Sequence, residues 1–149
     1  MDARLQARMI YHGGVVFLLG LALGLPFGLV LLGSMEGSER AWRMAHLEGV
    51  LNGLLVIGVA AVGPALGLSA ARAATLAWCM IVTAYGNVVA SAIGAAYGVR
   101  GLSPGGPIAN TTVYVLFMIA VATVVVGMAL VTAAARQQGK SGGRGQPGR

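Results

Sequence analysis

Four long apolar segments, separated by short polar stretches, dominate the pattern of hydrophobic and polar positions along the chain. They run from about Gly13 to Leu32, His46 to Leu66, Ala74 to Tyr97 and Thr111 to Ala135. Each is close to the ~20 residues that a helix needs to cross the hydrocarbon core of a bilayer. The pattern therefore predicts an all-α fold, an integral membrane four-helix bundle.

The composition agrees with this pattern and argues against a soluble protein. Of the 149 residues, 57% are hydrophobic and 9% are charged, which leaves too little polar surface for a soluble domain. The length suits one domain. We expect a four-helix transmembrane domain over residues 1–136 and a disordered basic tail over residues 137–149.

The basic residues, which give a net charge of +6, lie in short loops and in the tail. This placement is typical of membrane topology signals and not of a nucleic-acid surface. The side that holds both termini carries Arg4, Arg8, Arg72, Arg136, Lys140, Arg144 and Arg149. The other side carries only Arg40, Arg43 and Arg100. Because the more basic side normally stays in the cytoplasm, we predict cytoplasmic termini, in the inner membrane of a bacterium.

Small residues recur at a spacing of four positions along the first three helices. They are Gly20, Gly24 and Gly28, then Gly49 and Gly53, then Gly86, Ala90 and Gly94. Such rows allow helix backbones to approach closely. Packing within one bundle explains them, and packing between copies of the chain is the alternative.

Polar side chains inside a membrane are costly, so they are the first candidates for a functional site. The candidates in the second and third helices are His46, Glu48, Asn52, Thr83, Asn87 and Ser91. The spacing i, i+4, i+8 predicts that the last three form one stripe, with Tyr85 on a different face. At ~1.5 Å per residue, Asn52, Asn87 and Ser91 fall in one layer, the outer half of the bilayer.

The two histidines receive different interpretations. His12 begins the first apolar segment on the inner side, ~30 Å from His46, so one protomer cannot bind one haem through both. We expect His12 to be an interfacial group or a helix cap. His46 is either a structural histidine or a ligand to iron, since a single imidazole with an open opposite face describes five-coordinate haem. Zinc would need a second histidine or cysteine within reach.

The remaining polar residues also have structural alternatives. Glu48 either pairs with Arg43, accepts a hydrogen bond near the helix start, or supports an imidazole as its hydrogen-bond partner. Thr83 and Ser91 are expected to bond to their own helix backbone, as hydroxyls in membrane helices often do. The amides of Asn52 and Asn87 are less easily satisfied by hydrogen bonds to their own helix backbone, so they are better candidates for a functional site.

Three stretches of the chain resemble a known family. "AWRMAHLEGVLNGLLVIGVAAVGPALG" (41–67), "RMIYHGG" (8–14) and "TAYGNVVAS" (83–91) are similar, in this order, to segments of small four-helix membrane isomerases. These include styrene oxide isomerase and hydroxylaminobenzene mutase. The likeness covers most of residues 8–100 and fades in the fourth helix.

The resemblance implies haem b at the interface between copies of a homotrimer, with His46 as the axial ligand of the iron. We assign Glu48 and Gly49, the remainder of "HLEG", to the same cofactor site. In styrene oxide isomerase, ferric iron acts as a Lewis acid on the epoxide oxygen, and an asparagine matching Asn52 helps to place the substrate. His46 and Asn52 lie six positions apart, so they point about 120° away from each other, and a neighbouring copy would supply the opposite wall.

The sequence departs from the styrene oxide isomerases at two positions. They carry an aspartate at the position of Thr83 and a tyrosine at that of Ser91, whereas "HLEG" and "TAYGN" are more similar to the mutase branch. We therefore predict a haem-dependent isomerase of small apolar aromatic substrates that converts a hydroxylaminoarene to an aminophenol, with Asn52, Tyr85 and Asn87 as catalytic residues. The alternatives are epoxide isomerisation to an aldehyde, a haem-bearing electron-transfer subunit of a membrane complex, and a structural or assembly protein without a cofactor.

Overall fold

The computed structural model describes residues 1–142, and the described part of the chain contains helices and no strand. A short 3-10 helix, Gly63–Leu66, joins the second and third of four long helices. These are α1 (Ala3–Leu31), α2 (Glu39–Val62), α3 (Ala70–Tyr97) and α4 (Ile108–Gly142). All four are long and apolar enough to cross a membrane. The prediction of an all-α, integral membrane four-helix bundle is confirmed.

The helices extend beyond the apolar segments that predicted them. α1 begins at Ala3, where the Asp2 carboxylate accepts a hydrogen bond of 2.7 Å from the backbone N–H of Leu5. α2 begins at Glu39, with Ser38 as its N-cap. Hydropathy marks only the part of a helix that suits lipid, whereas the capping residues mark where the helix begins. Both histidines consequently lie inside helices and not at their ends.

The structure also defines where α3 begins and how far α4 extends into the predicted tail. Ser69 is the N-cap of α3, and Gly67, at φ 61°, makes the left-handed turn before it. α4 continues through residues 137–142, which the composition placed in the tail. The rest of the predicted tail, residues 143–149, lies outside the described residues.

The helices pack in the order of the chain. α1 packs on α2, α2 on α3, and α3 on α4, and α1 also contacts α3. Buried residues are most numerous in α2 and α3, which include Val56, Leu76 and Met80, whereas α1 and α4 contribute fewer, such as Val16 and Val113. α2 and α3 therefore form the interior of the protomer, with α1 and α4 on its flanks.

Glycines bring the backbones of α1 and α2 into direct contact. A Cβ atom on Gly20 would lie 2.6 Å from the carbonyl carbon of Gly49, and one on Gly53 would lie 2.6 Å from the backbone nitrogen of Phe17. Both distances are too short for any side chain, so these positions require glycine. Gly20, Gly49 and Gly53 thus serve packing within the bundle, and this packing presses the Gly20 backbone against Gly49 and Val50 of α2.

The outer faces of the flanking helices are apolar and largely uncovered within the protomer. Only 11% of the most apolar 18-residue window is buried in α1 and in α4, compared with 44% in the second span and 56% in α3. Lipid or further copies of the chain must cover these faces. In the described part of the chain, the charged residues lie outside these faces, at the helix ends and in the loops, except for Glu48 within α2.

Candidate functional site

The imidazole of His46 lies against α1 in a defined orientation. Its Nδ1 atom is 2.8 Å from the backbone oxygen of Gly20, and its ring stacks on Phe27 at a centroid distance of 6.4 Å. A Cβ atom on Gly24 would lie 3.1 Å from Nδ1, so the ring fits only beside a glycine. Because a carbonyl oxygen can only accept, Nδ1 carries the proton and the neutral ring keeps its lone pair on Nε2.

This arrangement fits the axial ligand of a haem. An imidazole that binds a metal usually donates its other N–H to a carbonyl or carboxylate, which fixes the ring and its tautomer. Among the described residues, no three His, Cys, Asp or Glu side chains converge to hold a metal ion. The available donor set is a single oriented imidazole, which suits an iron that already has four porphyrin nitrogens as ligands.

The two neighbours that were assigned to the cofactor make other contacts. Gly49 is buried at the crossing of α1 and α2, against the backbone of Gly20. Glu48 contacts neither an imidazole nor Arg43, since it forms no ion pair among the described residues and its carboxylate bonds to Asn52. The hydrogen-bond partner of His46 comes from α1, a helix that the sequence pattern did not connect with this residue.

The amides of α2 and α3 form a hydrogen-bonded chain. Asn52 is 8% exposed and donates through Nδ2 to Glu48 twice, at 2.7 Å to Oε2 and at 2.8 Å to the backbone oxygen. Asn87 donates through Nδ2 to Oδ1 of Asn52 at 3.1 Å. Both N–H groups of Asn52 are therefore used, whereas Asn87 keeps one N–H and an oxygen without a partner among the described residues.

Tyr85, two residues before Asn87 on α3, faces α1 and contacts a residue that the sequence analysis placed elsewhere. Its hydroxyl is 3.1 Å from Nδ1 of His12, and the two rings meet edge to face at 79°. The expectation that His12 is an interfacial group or cap some 30 Å from His46 is wrong. His46 contacts Gly20, which is only eight residues and about 12 Å further along α1.

His12 is the functional candidate that sequence reasoning missed. The error came from placing the beginning of α1 at Gly13, although the helix begins at Ala3. The "RMIYHGG" block was the available signal, since it resembles the family at this position. A histidine inside an apolar helix would have counted as a candidate site residue by the same rule as His46.

The predicted stripe on α3 is divided between different neighbours. Thr83 bonds to α4, at 3.2 Å to the Ala120 oxygen and 2.8 Å to the Thr123 hydroxyl, and not to its own backbone as expected. Asn87 faces α2. Ser91 is 6% exposed, and its hydroxyl has no hydrogen-bond partner among the described residues. A spacing of four residues advances about 40° beyond a full turn, so a stripe of eight residues drifts across two interfaces.

A cavity of about 520 Å³ lies between the beginning of α2, the end of α3 and the beginning of α4. Its lining includes the exposed Arg40 and Arg100, the apolar Met44 and Phe117, and the buried Ser91. On α3, Ser91 is one turn from Asn87. The cavity therefore extends from a charged opening to an unsatisfied hydroxyl next to the amides.

The structure brings the predicted residues together in two groups, on the two faces of α2 that point toward α1 and toward α3. His46 faces α1, whereas Asn52 faces α3, which agrees with their predicted angular separation. The first group offers a free Nε2, and the second offers amide and hydroxyl groups beside a cavity. Within one protomer, a ligand on Nε2 of His46 does not lie on the side of Asn52.

The fold and the site define an integral membrane bundle with an oriented imidazole and a buried cluster of amides. The family model described as styrene oxide isomerase matches residues 5–136, so the chain belongs to that family. The chain is also similar to the hydroxylaminobenzene mutase HabB of Ectopseudomonas oleovorans, with 34% identity over 101 residues. This match covers 67% of the chain and 57% of the mutase, so a large part of that relative has no counterpart in the alignment.

Proposed function

We propose that the protein is a haem b-dependent isomerase that moves an oxygen atom within a small aromatic substrate. The substrate is a hydroxylaminoarene, and the product is an aminophenol. The observation that carries the proposal is the hydrogen bond from His46 Nδ1 to the Gly20 carbonyl, which leaves Nε2 free for a metal. Membership of the styrene oxide isomerase family and the similarity to a hydroxylaminobenzene mutase support the class of reaction.

His46 would hold the haem iron through Nε2. When bound, the iron would supply a Lewis acid for the substrate oxygen. The stack on Phe27 and the hydrogen bond to Gly20 limit rotation of the imidazole. Gly49 would act indirectly, because its close contact with α1 places the Gly20 carbonyl next to the imidazole of His46.

The amides would bind the polar group of the substrate. Asn87 has hydrogen-bonding capacity left after its contact with Asn52, so it is the residue that donates to the substrate nitrogen or to the departing oxygen. Asn52 and Glu48 fix its position. Preorganised dipoles of this kind stabilise charge that develops during a reaction, and their effect is largest where water is excluded.

The cavity beside Ser91 would receive the aromatic body. Its volume of about 520 Å³ lies within the range of small-molecule sites, and its walls are mostly apolar. The Ser91 hydroxyl offers a hydrogen bond to a polar substituent, which it lacks within the protein. A small apolar substrate would reach this cavity from the membrane, where it partitions.

The proposed setting is the inner membrane of a bacterium, with both termini in the cytoplasm. The support is the distribution of Lys and Arg, which favours the side of the termini. We also propose a homotrimer in which His46 of one copy and the amides of the next act on one substrate. A trimer would bring His46 and Asn52 to one site although they point in different directions within a protomer. It would also cover apolar faces of α1 or α4.

The test is a product analysis with two substrates. Detergent-purified protein loaded with haem is mixed with hydroxylaminobenzene and, separately, with styrene oxide, and the products are identified by chromatography. We expect an aminophenol from the first. Phenylacetaldehyde alone would favour the second candidate, epoxide isomerisation, which the description of the family model supports. Absence of both products from haem-loaded protein would contradict the proposal.

A further inference from the structure

Two arginines without a counter-charge line the opening of the cavity beside Ser91. Arg40 lies in the first turn of α2, and Arg100 lies in the loop that follows α3. Neither forms an ion pair within residues 1–142, and no described Asp or Glu lines the cavity. The beginning of α2 adds the partial positive charge of a helix N-terminus. The opening therefore favours an anion.

The protein itself holds the loop that carries Arg100 in place beside the cavity. On one side of this residue, the N–H of Val99 donates to the Gly94 oxygen at 3.1 Å. On the other side, the N–H of Gly101 donates to Oδ1 of Asn110 at 2.9 Å. The Asn110 amide also donates to two further carbonyl oxygens of the loop, each at 2.9 Å. The backbone is thus anchored on both sides of Arg100.

The inner part of the cavity combines apolar walls with a hydroxyl that needs a partner. Met44 and Phe117 contribute to the walls. Ser91 is 6% exposed, and its hydroxyl has no hydrogen-bond partner in the described part of the chain, which is costly for a buried polar group. Ser91 lies ~9 Å along α3 from the end of the helix at Tyr97, about the length of a benzene ring with a substituent at each end.

We propose that the cavity binds aromatic carboxylates, with the carboxylate between Arg40 and Arg100 and a polar substituent of the ring at Ser91. Arginine suits this role because its planar guanidinium group can donate two parallel hydrogen bonds to a carboxylate. Combined with the proposed function, on which this step rests, the site makes the substrate a hydroxylaminoarene with a carboxylate across the ring, such as para-hydroxylaminobenzoate. Such a substrate enters from water through the charged opening, because a carboxylate is poorly soluble in lipid.

A fatty acid also has an anionic head and an apolar body, but the cavity suits it less well. Its chain ends in a methyl group, which cannot bond to the Ser91 hydroxyl. A long acyl chain would also exceed the ~9 Å between the end of α3 and Ser91. An aromatic carboxylate with a polar substituent provides a partner at both ends of the cavity.

The first experiment measures binding by calorimetry in detergent-purified protein with two unreactive probes. They are para-aminobenzoate and its neutral analogue para-aminobenzamide, and palmitate is titrated for comparison. The variants are Arg40→Gln, Arg100→Gln and Ser91→Ala. Arg43→Gln is the matched control, because it removes a positive charge from the same end of α2 but does not line the cavity.

We expect para-aminobenzoate to bind roughly 10–100-fold more tightly than para-aminobenzamide, because only the acid forms charge-assisted hydrogen bonds with both arginines. Arg40→Gln and Arg100→Gln should each weaken binding of the acid roughly tenfold, since solvent at the opening reduces the strength of each pair. Binding of the amide should not change. Ser91→Ala should weaken both probes alike, because both carry the amino group, and Arg43→Gln should match the unaltered protein.

The second experiment measures turnover by the haem-loaded protein. Para-hydroxylaminobenzoate should have a higher kcat/KM than hydroxylaminobenzene. Arg40→Gln and Arg100→Gln should remove this advantage through an increased KM and should leave the rate with hydroxylaminobenzene unchanged. A kcat/KM for the carboxylated substrate below that of hydroxylaminobenzene would contradict the inferred substrate class.

Other results separate the failure of this inference from the failure of the proposed function. Equal affinity for the two probes, or an equal loss of affinity in Arg43→Gln and Arg40→Gln, overturns the carboxylate site even if hydroxylaminobenzene is converted. Palmitate that binds more tightly than para-aminobenzoate also overturns it, in favour of a lipid acid. Arginine-dependent binding of para-aminobenzoate without turnover of either hydroxylaminoarene refutes the proposed function and supports the carboxylate site.

Discussion

His12 and His46 each form a hydrogen bond through Nδ1, but with different kinds of partner. His12 lies on α1, about 12 Å along the helix axis from Gly20, which is the residue that His46 of α2 contacts. Nδ1 of His46 faces a carbonyl oxygen, which can only accept, so its tautomer is determined by the backbone. Nδ1 of His12 faces a hydroxyl, which can donate or accept, so this contact leaves the tautomer of His12 open. The hydrogen-bond partner thus fixes which nitrogen is free only for His46, the candidate metal ligand.

The first prediction concerns the ligand itself. His46→Ala should leave the protein in the membrane but remove its haem, because no other imidazole in the described part of the chain offers a free Nε2 on this face. His12→Ala is the matched control, since it deletes the other histidine of the chain and should retain haem. Haem content is measured from the Soret absorbance per protein. A normal haem content in the His46→Ala variant would remove the central assignment.

The hydrogen-bond partners of the carboxylate and the amides were only partly predictable from the sequence. Of the alternatives for Glu48, neither Arg43 nor an imidazole is its partner: its carboxylate accepts a hydrogen bond within the first half of α2, from Asn52 one turn along the same helix. An i, i+4 pair is a local possibility that the sequence already contained. The bond between Asn52 and Asn87 joins two helices, and nothing in either helix alone identifies the other as its partner.

At the scale of single helices, the contact between α1 and α2 controls the site. Gly20 and Gly49 meet backbone to backbone, and the same crossing delivers the Gly20 carbonyl to His46. Capping groups and hydropathy determined the existence of the helices, since each property depends on neighbouring residues in the chain. The face that each helix presents depends on the shape of its partner.

Substitution of the glycine at this crossing should test the link between packing and haem binding. Gly49→Ala should lower the free energy of unfolding by about 1–3 kcal/mol through overpacking and should reduce haem retention, because a Cβ atom there would lie 2.6 Å from the Gly20 nitrogen. Gly58→Ala on the same helix is the control, since its added Cβ meets no atom within 4 Å. Thermal unfolding in detergent and haem content are measured for both. Equal behaviour of the two variants would show that the crossing does not position the imidazole.

At the scale of the whole molecule, the two halves of the proposed site lie on different faces of α2, about 120° apart, one toward α1 and the other toward α3. A trimer would bring the imidazole of one copy to the amides of the next, whereas a monomer leaves them apart. The uncovered apolar surfaces of α1 and α4 provide area for such contacts. The proposal of shared sites thus follows from the directions of two side chains on one helix.

Mixed assembly should distinguish shared sites from sites within one copy. His46→Ala and Asn52→Ala chains, each expected to be inactive alone, are expressed together, reassembled and assayed. If a site takes His46 from one copy and Asn52 from its neighbour, random mixing restores about a quarter of the sites. A mixture as inactive as the separate variants would place both residues in the same copy's site and contradict the shared arrangement.

The sequence by itself determined the helices, their number and the residues of greatest interest, because lipid penalises polar groups and rewards runs of about 20 apolar residues wherever they occur. It also indicated that His46 and Asn52 diverge, since helical rotation between two positions is a property of one helix. Only the tertiary structure decided that Gly20 orients His46, that Thr83 serves α4, and that His12 reaches Tyr85. Those contacts join residues 26 to 73 positions apart in the chain, and they depend on where helices cross and how closely glycines allow them to approach.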